Sequence, residues 1–81
     1  MEKSLAKIIK NARESKGISQ RKLSRKIGID HNNISDIETG KRKKPNVLII
    51  KKIAIALDID FKLLLLSCGY SENDIKLINQ N

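Results

Sequence analysis

QRKLSRKIGIDHNNISDI, running from Gln20 to Ile37, reads as a helix, a tight turn and a second helix. Leu23 and Ile27 lie one helical turn apart and give the first helix a single inward apolar stripe. Gly28 ends that helix, because glycine takes the left-handed conformation at a helix C-terminus with no side chain to clash. Asp30 can cap the next helix by accepting from free backbone N–H groups two or three residues on. In that second helix Ile34 and Ile37 face inward, which leaves His31, Asn32, Ser35 and Asp36 on the outer face. Two buried isoleucines behind four small polar groups suit a helix that lies in the major groove of DNA.

Composition sets the frame around this unit. Eighty-one residues make one small domain, above the size at which disulfides or metals become necessary for folding. Hydrophobic residues are 40% of the chain but aromatics only 2%, so the core must be aliphatic, with isoleucine its main source. Cys68 is the single cysteine and His31 the single histidine, which exclude an internal disulfide, a cysteine zinc cluster and a His-rich metal site. No metal and no cofactor is expected. No apolar run approaches the ~20 residues needed to span a bilayer, and no signal peptide opens the sequence. The expected place is the cytoplasm, on the nucleoid when DNA is bound, with no membrane partner.

Net charge is +8, and its distribution says more than its size. Residues 1–52 carry fifteen Lys or Arg against five acids, a balance of +10, while residues 53–81 carry two against four, a balance of −2. The excess is confined to the part holding the two helices, as a phosphate-facing surface requires. The bland alternative is a soluble protein with lysine-rich helix faces.

Leu5, Ile8, Ile9 and Ala12 follow helical spacing, so residues 3–15 should form an amphipathic helix with Lys3, Lys7, Lys10 and Arg13 on its other faces. Arg13 follows the stripe closely enough for its guanidinium to pair with Glu38 on the inner side, although a solvated arginine at a helix end is the simpler reading. Ser19 is an N-cap, followed by Gln20, Arg21 and Lys22. Two cations in a first helical turn oppose the helix dipole. A DNA phosphate at that N-terminus would offset them. Gln20 could donate to the same phosphate or brace a side chain of the next helix.

After Ile37, Gly40 terminates the recognition helix and Pro45 delays the following one to Asn46, a further N-cap. Between them Lys41, Arg42, Lys43 and Lys44 form a cationic loop that should straddle the DNA backbone. Ile50, Ile53, Ala54 and Leu57 make the next core stripe, with Ile49 and Ile55 off it. Asp60 caps a last core helix with Phe61, Leu64, Leu65 and Cys68 on one side and Leu63 and Leu66 on another, closed by Gly69. These two helices hold more apolar surface than one small core absorbs, which points to an interface. A capping box from Ser71 to Asp74 leaves room for a short sixth helix whose apolar residues would cover that surface instead.

The stretches GISQRKLSRKIGID, NISDIETGKRKKP and KKIAIALDIDFKLLL resemble the lambda repressor-like, Cro/CI-type helix–turn–helix family, also called the XRE family, over about residues 5–66. The family motif opens on Gln, here Gln20, turns at Gly, here Gly28, and has branched apolar residues at the positions of Ile34 and Ile37. The resemblance implies that His31, Asn32 and Asp36 touch base edges, and that Gln20, Asn33, Lys41 and Lys43 touch the backbone. It implies an Arg13–Glu38 salt bridge. It also implies dimerisation through the end of the fourth helix and the start of the fifth, here Leu57, Ile59, Phe61, Leu63 and Leu64. Two positions depart from the pattern. Ser24 stands where the family has Ala, and its hydroxyl can bond back to the carbonyl of Gln20. Asp36 puts a carboxylate near phosphates, where it could only accept, for example from a cytosine amino group. The segment after Tyr70 has no family counterpart.

The resulting expectation is an all-α, five-helix lambda repressor-like domain over residues 1–70, with residues 71–81 a C-terminal tail that could add a short helix. Its expected function is sequence-specific binding of double-stranded DNA as a homodimeric repressor on a two-fold-related operator. Ser19, Gln20, Arg21, Asn33 and the Lys41, Arg42, Lys43, Lys44 loop would hold the backbone, and His31, Asn32 and Asp36 would read bases. The rival is an antitoxin-like or adaptor protein whose main partner is another protein, bound through Ile49, Ile55, Leu63, Leu66 and the tail. An enzyme is not expected: the sequence has no His–acid cluster, no phosphate-cradling Gly loop and no setting that lowers a cysteine pKa.

Overall fold

Each helix begins where a short polar side chain can take the first free backbone N–H. Ser4, Ser19, Asp30, Asn46 and Asp60 accept from the N–H groups of Lys7, Lys22, Asn32, Ile49 and Lys62. They open α1 (Leu5–Ser15), α2 (Gln20–Ile27), α3 (His31–Glu38), α4 (Val47–Leu57) and α5 (Phe61–Ser67), and α6 (Glu72–Asn79) follows. This computed structural model describes residues 4–79, and no strand occurs among them. The expected helix start at Lys3 lies outside the described residues. Between α2 and α3, Gly28 adopts φ +72° and its N–H donates to the carbonyl of Ser24, which turns the chain in one residue.

The core is aliphatic. Ile9 of α1, Leu23 of α2, Ile34 and Ile37 of α3, Ile50 and Ile53 of α4, and Leu64 and Leu65 of α5 are almost completely buried. Helix α3 packs on α1 and α2, α4 packs on α1, α2 and α5, and α6 packs on α5. Ser24 is buried too, and its hydroxyl donates to the carbonyl of Arg21 at 2.7 Å, not to that of Gln20. Both carbonyls lie within reach of a helical serine hydroxyl, and the three-residue bond is the one formed here.

Two residues expected at a dimer interface are core residues instead. Leu57 continues the Ile50–Ile53–Ala54 stripe of α4, and Leu64 shares the inward side of α5 with Leu65; both are buried. Turning either outward would open the centre of the monomer. Ile59 and Phe61 are half-buried beside Ile55, 72% exposed, with Lys51 and Asp58 around them, and Leu63 on α5 is 49% exposed.

The C-terminal segment forms its helix through a reciprocal capping box. Ser71 N–H donates to Asp74 Oδ2 at 2.8 Å, and Asp74 N–H donates to Ser71 Oγ at 3.1 Å. Ile75 is buried in the same core, and Ile78 packs against it. The Ser71 backbone N–H, then its hydroxyl, hold the Asp74 carboxyl below the usual carboxylate range. A depressed folded-state pKa contributes stability that is present at neutral pH and lost as pH falls below the ordinary carboxylate range. The protection factors of α6 amides should therefore fall on acidification, and Asp74→Asn should remove most of that dependence. An Asp74→Asn chain whose α6 responds to acid like the wild type would refute this role.

Candidate nucleic-acid interface

Helix α3 is fixed from behind and open in front. Ile34 and Ile37 anchor it, and among the outward groups Asn32 is exposed while His31, Asn33, Ser35 and Asp36 are half-buried. His31 and Asn32 are its first two residues, and Asp36 lies one turn beyond Asn32 on the same side. The N-terminal end of such a helix is the part that reaches base edges in helix–turn–helix docking. The four outward side chains expected to point freely away thus reduce to one clear projection, Asn32, flanked by groups partly sheltered by their neighbours.

The other end of α3 is locked. The Glu38 side chain is 3% exposed and accepts from Arg13 Nε at 2.7 Å, Arg13 Nη2 at 2.9 Å and Gln20 Nε2 at 3.1 Å. The Arg13 side chain is 11% exposed, and its Nη1 donates to the carbonyl of Ile18 at 2.8 Å. The hydrogen bond to Glu38 raises the Arg13 pKa above its ordinary value against the opposing effect of burial. This two-pronged pair ties α1 to the end of α3, and Gln20 ties in the start of α2. Gln20 therefore braces the recognition helix, and only its remaining amide hydrogen is left to donate to a phosphate.

Cations flank this locked unit on two sides. Ser19, Arg21 and Lys22 are exposed at the start of α2, where the Ser19 hydroxyl accepts from Lys22 N–H at 3.0 Å. Lys41, Arg42, Lys43 and Lys44 are exposed on the loop after α3, and Arg42 N–H donates to the carbonyl of Asp36 at 2.9 Å. That bond caps the C-terminal end of α3 and sets the loop's exit. Lys44 differs from its neighbours: its Nζ lies 4.5 Å from the centre of the Tyr70 ring. Nothing in the spacing of the sequence announces that contact across more than twenty residues, and Tyr70 was not among the expected site residues. Cys68 is half-buried, and burial pushes its thiol pKa up, away from the range of a reactive thiolate.

Comparison with known proteins gives a consistent picture. The helix–turn–helix family model matches residues 9–64. The ImmF control region 10 kDa protein of Bacillus phage phi105 is 32% identical over 62 residues, which are 76% of this chain and 68% of that protein. A chain in the structure of a SinR protein/SinI protein complex superimposes with a TM-score of 0.72 at 26% identity, covering 91% of this chain and 74% of that one.

Proposed function

The chain belongs to the Cro/CI-type (XRE) helix–turn–helix family of DNA-binding regulators, and from that premise we propose that it is a sequence-specific repressor acting as a homodimer on a two-fold-related operator. The observation that carries this reading is the exposed N-terminal end of α3, whose other end is held by the part-buried Arg13–Glu38–Gln20 network, with exposed cations at the start of α2 and on the loop after α3. Asn32 supplies the donor–acceptor pair suited to the N6/N7 edge of adenine, and His31 reads beside it. Asp36 accepts from a cytosine amino group. Ser19, Gln20, Arg21, Asn33 and the loop cations set the register on the phosphates. Ile55, Ile59, Phe61 and Leu63 cover one another across the two-fold axis, placing the two α3 helices about 34 Å apart, one turn of DNA. Repression is by occupation of the promoter.

Asn32→Ala should relax sequence preference by a discrimination of roughly 1–3 kcal/mol at one base pair. Lys43→Ala should weaken all sequences alike and lower the salt slope by about 0.9. Titrations of selected and scrambled duplexes over a salt series measure both effects. Equal loss of specificity in the two variants would rule out this division of labour.

A second reading has support of its own. The structural relative was solved in a complex of two proteins, and Ile55, Leu63 and Leu66 here are 72%, 49% and 42% exposed. A protein partner bound over these residues would compete with the homodimer. A second polypeptide co-purifying with the chain and lost on Leu66→Asp would favour it.

A further inference from the structure

Tyr70 lies in the turn between α5 and α6, beyond the residues matched by the family model. Its backbone N–H donates to the carbonyl of Leu65 at 3.1 Å, which fixes the turn to α5. Its hydroxyl donates to the carbonyl of Pro45 at 3.2 Å, and Pro45 itself is buried. Lys44 Nζ stands over the ring at 4.5 Å from its centre. At the other end of the same loop, Gly40 N–H donates to the carbonyl of Ile37 at 3.2 Å and Arg42 N–H to that of Asp36 at 2.9 Å. The cationic loop is thus pinned to α3 at its start and to Tyr70 at its end. The Lys44 charge also favours ionisation of Cys68 and Asp74, as expected for an ammonium drawn over the α5–α6 junction.

We infer that Tyr70 is a positioning residue for DNA binding: it fixes the loop through Pro45 and withdraws Lys44 from the phosphate-facing set. Lys41, Arg42 and Lys43 are left to neutralise the backbone. An ammonium over an aromatic face is held by the ring's negative centre. A loop ordered before binding loses less freedom when its cations settle on phosphates. The inference rests on the DNA-binding reading above, and it makes the segment after α5 a working part of the interface.

The test uses the full chain with Tyr70→Phe, Tyr70→Ala, Lys44→Met and, as reference, Lys43→Met. In the free protein, the Lys44 side-chain protons should be shifted upfield by the ring in the wild type and in Tyr70→Phe, and not in Tyr70→Ala. Backbone order parameters of residues 41–44 should fall in Tyr70→Ala. On DNA, Lys43→Met should lower the salt slope by about 0.9 and Lys44→Met by only a small part of that. Tyr70→Ala should weaken binding roughly three- to tenfold at low salt without lowering the slope, since the released Lys44 can rejoin the phosphate contacts, and Tyr70→Phe should recover part of the affinity. An unshifted Lys44 in the wild type, a loop equally ordered without the ring, or equal slope losses from Lys44→Met and Lys43→Met would each overturn the inference. A wild-type chain without salt-dependent DNA binding would instead remove the DNA reading and the role built on it, and the free-protein spectra would still decide whether Tyr70 holds the loop.

Discussion

Replacing Arg13 with alanine should destabilise the fold by about 3–5 kcal/mol, the range found when one partner of a buried ion pair is removed. The Glu38 carboxylate sits on a side chain only 3% exposed and would keep only Gln20 as a side-chain donor. Domains of this kind are stable by only about 5–15 kcal/mol, so the loss takes a large share of the total. Urea unfolding measures it. The pair itself is not the source of so much stability, because bringing two charges out of water offsets most of their attraction. The combined change Arg13→Met with Glu38→Leu should therefore recover a large part of what Arg13→Ala loses. A loss under about 1 kcal/mol for Arg13→Ala would mean that the pair behaves like a solvated surface bridge.

Leu63→Asp should leave the monomer folded and weaken operator binding by about 10²–10⁴, the gain that linking two binding modules typically confers. Leu63 is 49% exposed, so a carboxylate there stays hydrated and unfolding should shift by about 0.5 kcal/mol or less. Leu57 and Leu64 cannot serve in such a test, since both are buried and their replacement would open the core. Sedimentation with and without operator DNA reads the association directly. A wild-type chain that remains monomeric on its operator would end the homodimer reading, and competition by a co-purified polypeptide would turn attention to the protein-partner reading.

The helix–turn–helix was legible in the chain because its determinants are local. Ser19, Asp30, Asn46 and Asp60 cap helices within three residues of themselves, the Ser71–Asp74 box does the same for α6, and Gly28 turns the chain at its own φ. The core stripes of α1 to α4 repeat at helical spacing and point where that spacing directs them. The Arg13–Glu38 pair bridges residues far apart in the chain, and the family resemblance is what raised it above a solvated arginine.

What periodicity could not decide is the destination of side chains at the edges of those stripes. Leu63 and Leu64 are neighbours in sequence, and about 100° of rotation sends one to solvent and the other to the core. Lys43 and Lys44 are likewise alike as residues, but only Lys44 meets a ring, brought there by the packing of α5. Gln20 had two partners open to it until the end of α3 came within 3.1 Å. The sequence by itself determined where helices start, stop and turn, and which end of the molecule is cationic, because those depend on interactions within about one helical turn and on composition. Tertiary structure alone decided which polar groups stay free for DNA, because that depends on side chains brought together from 18 and 25 residues away.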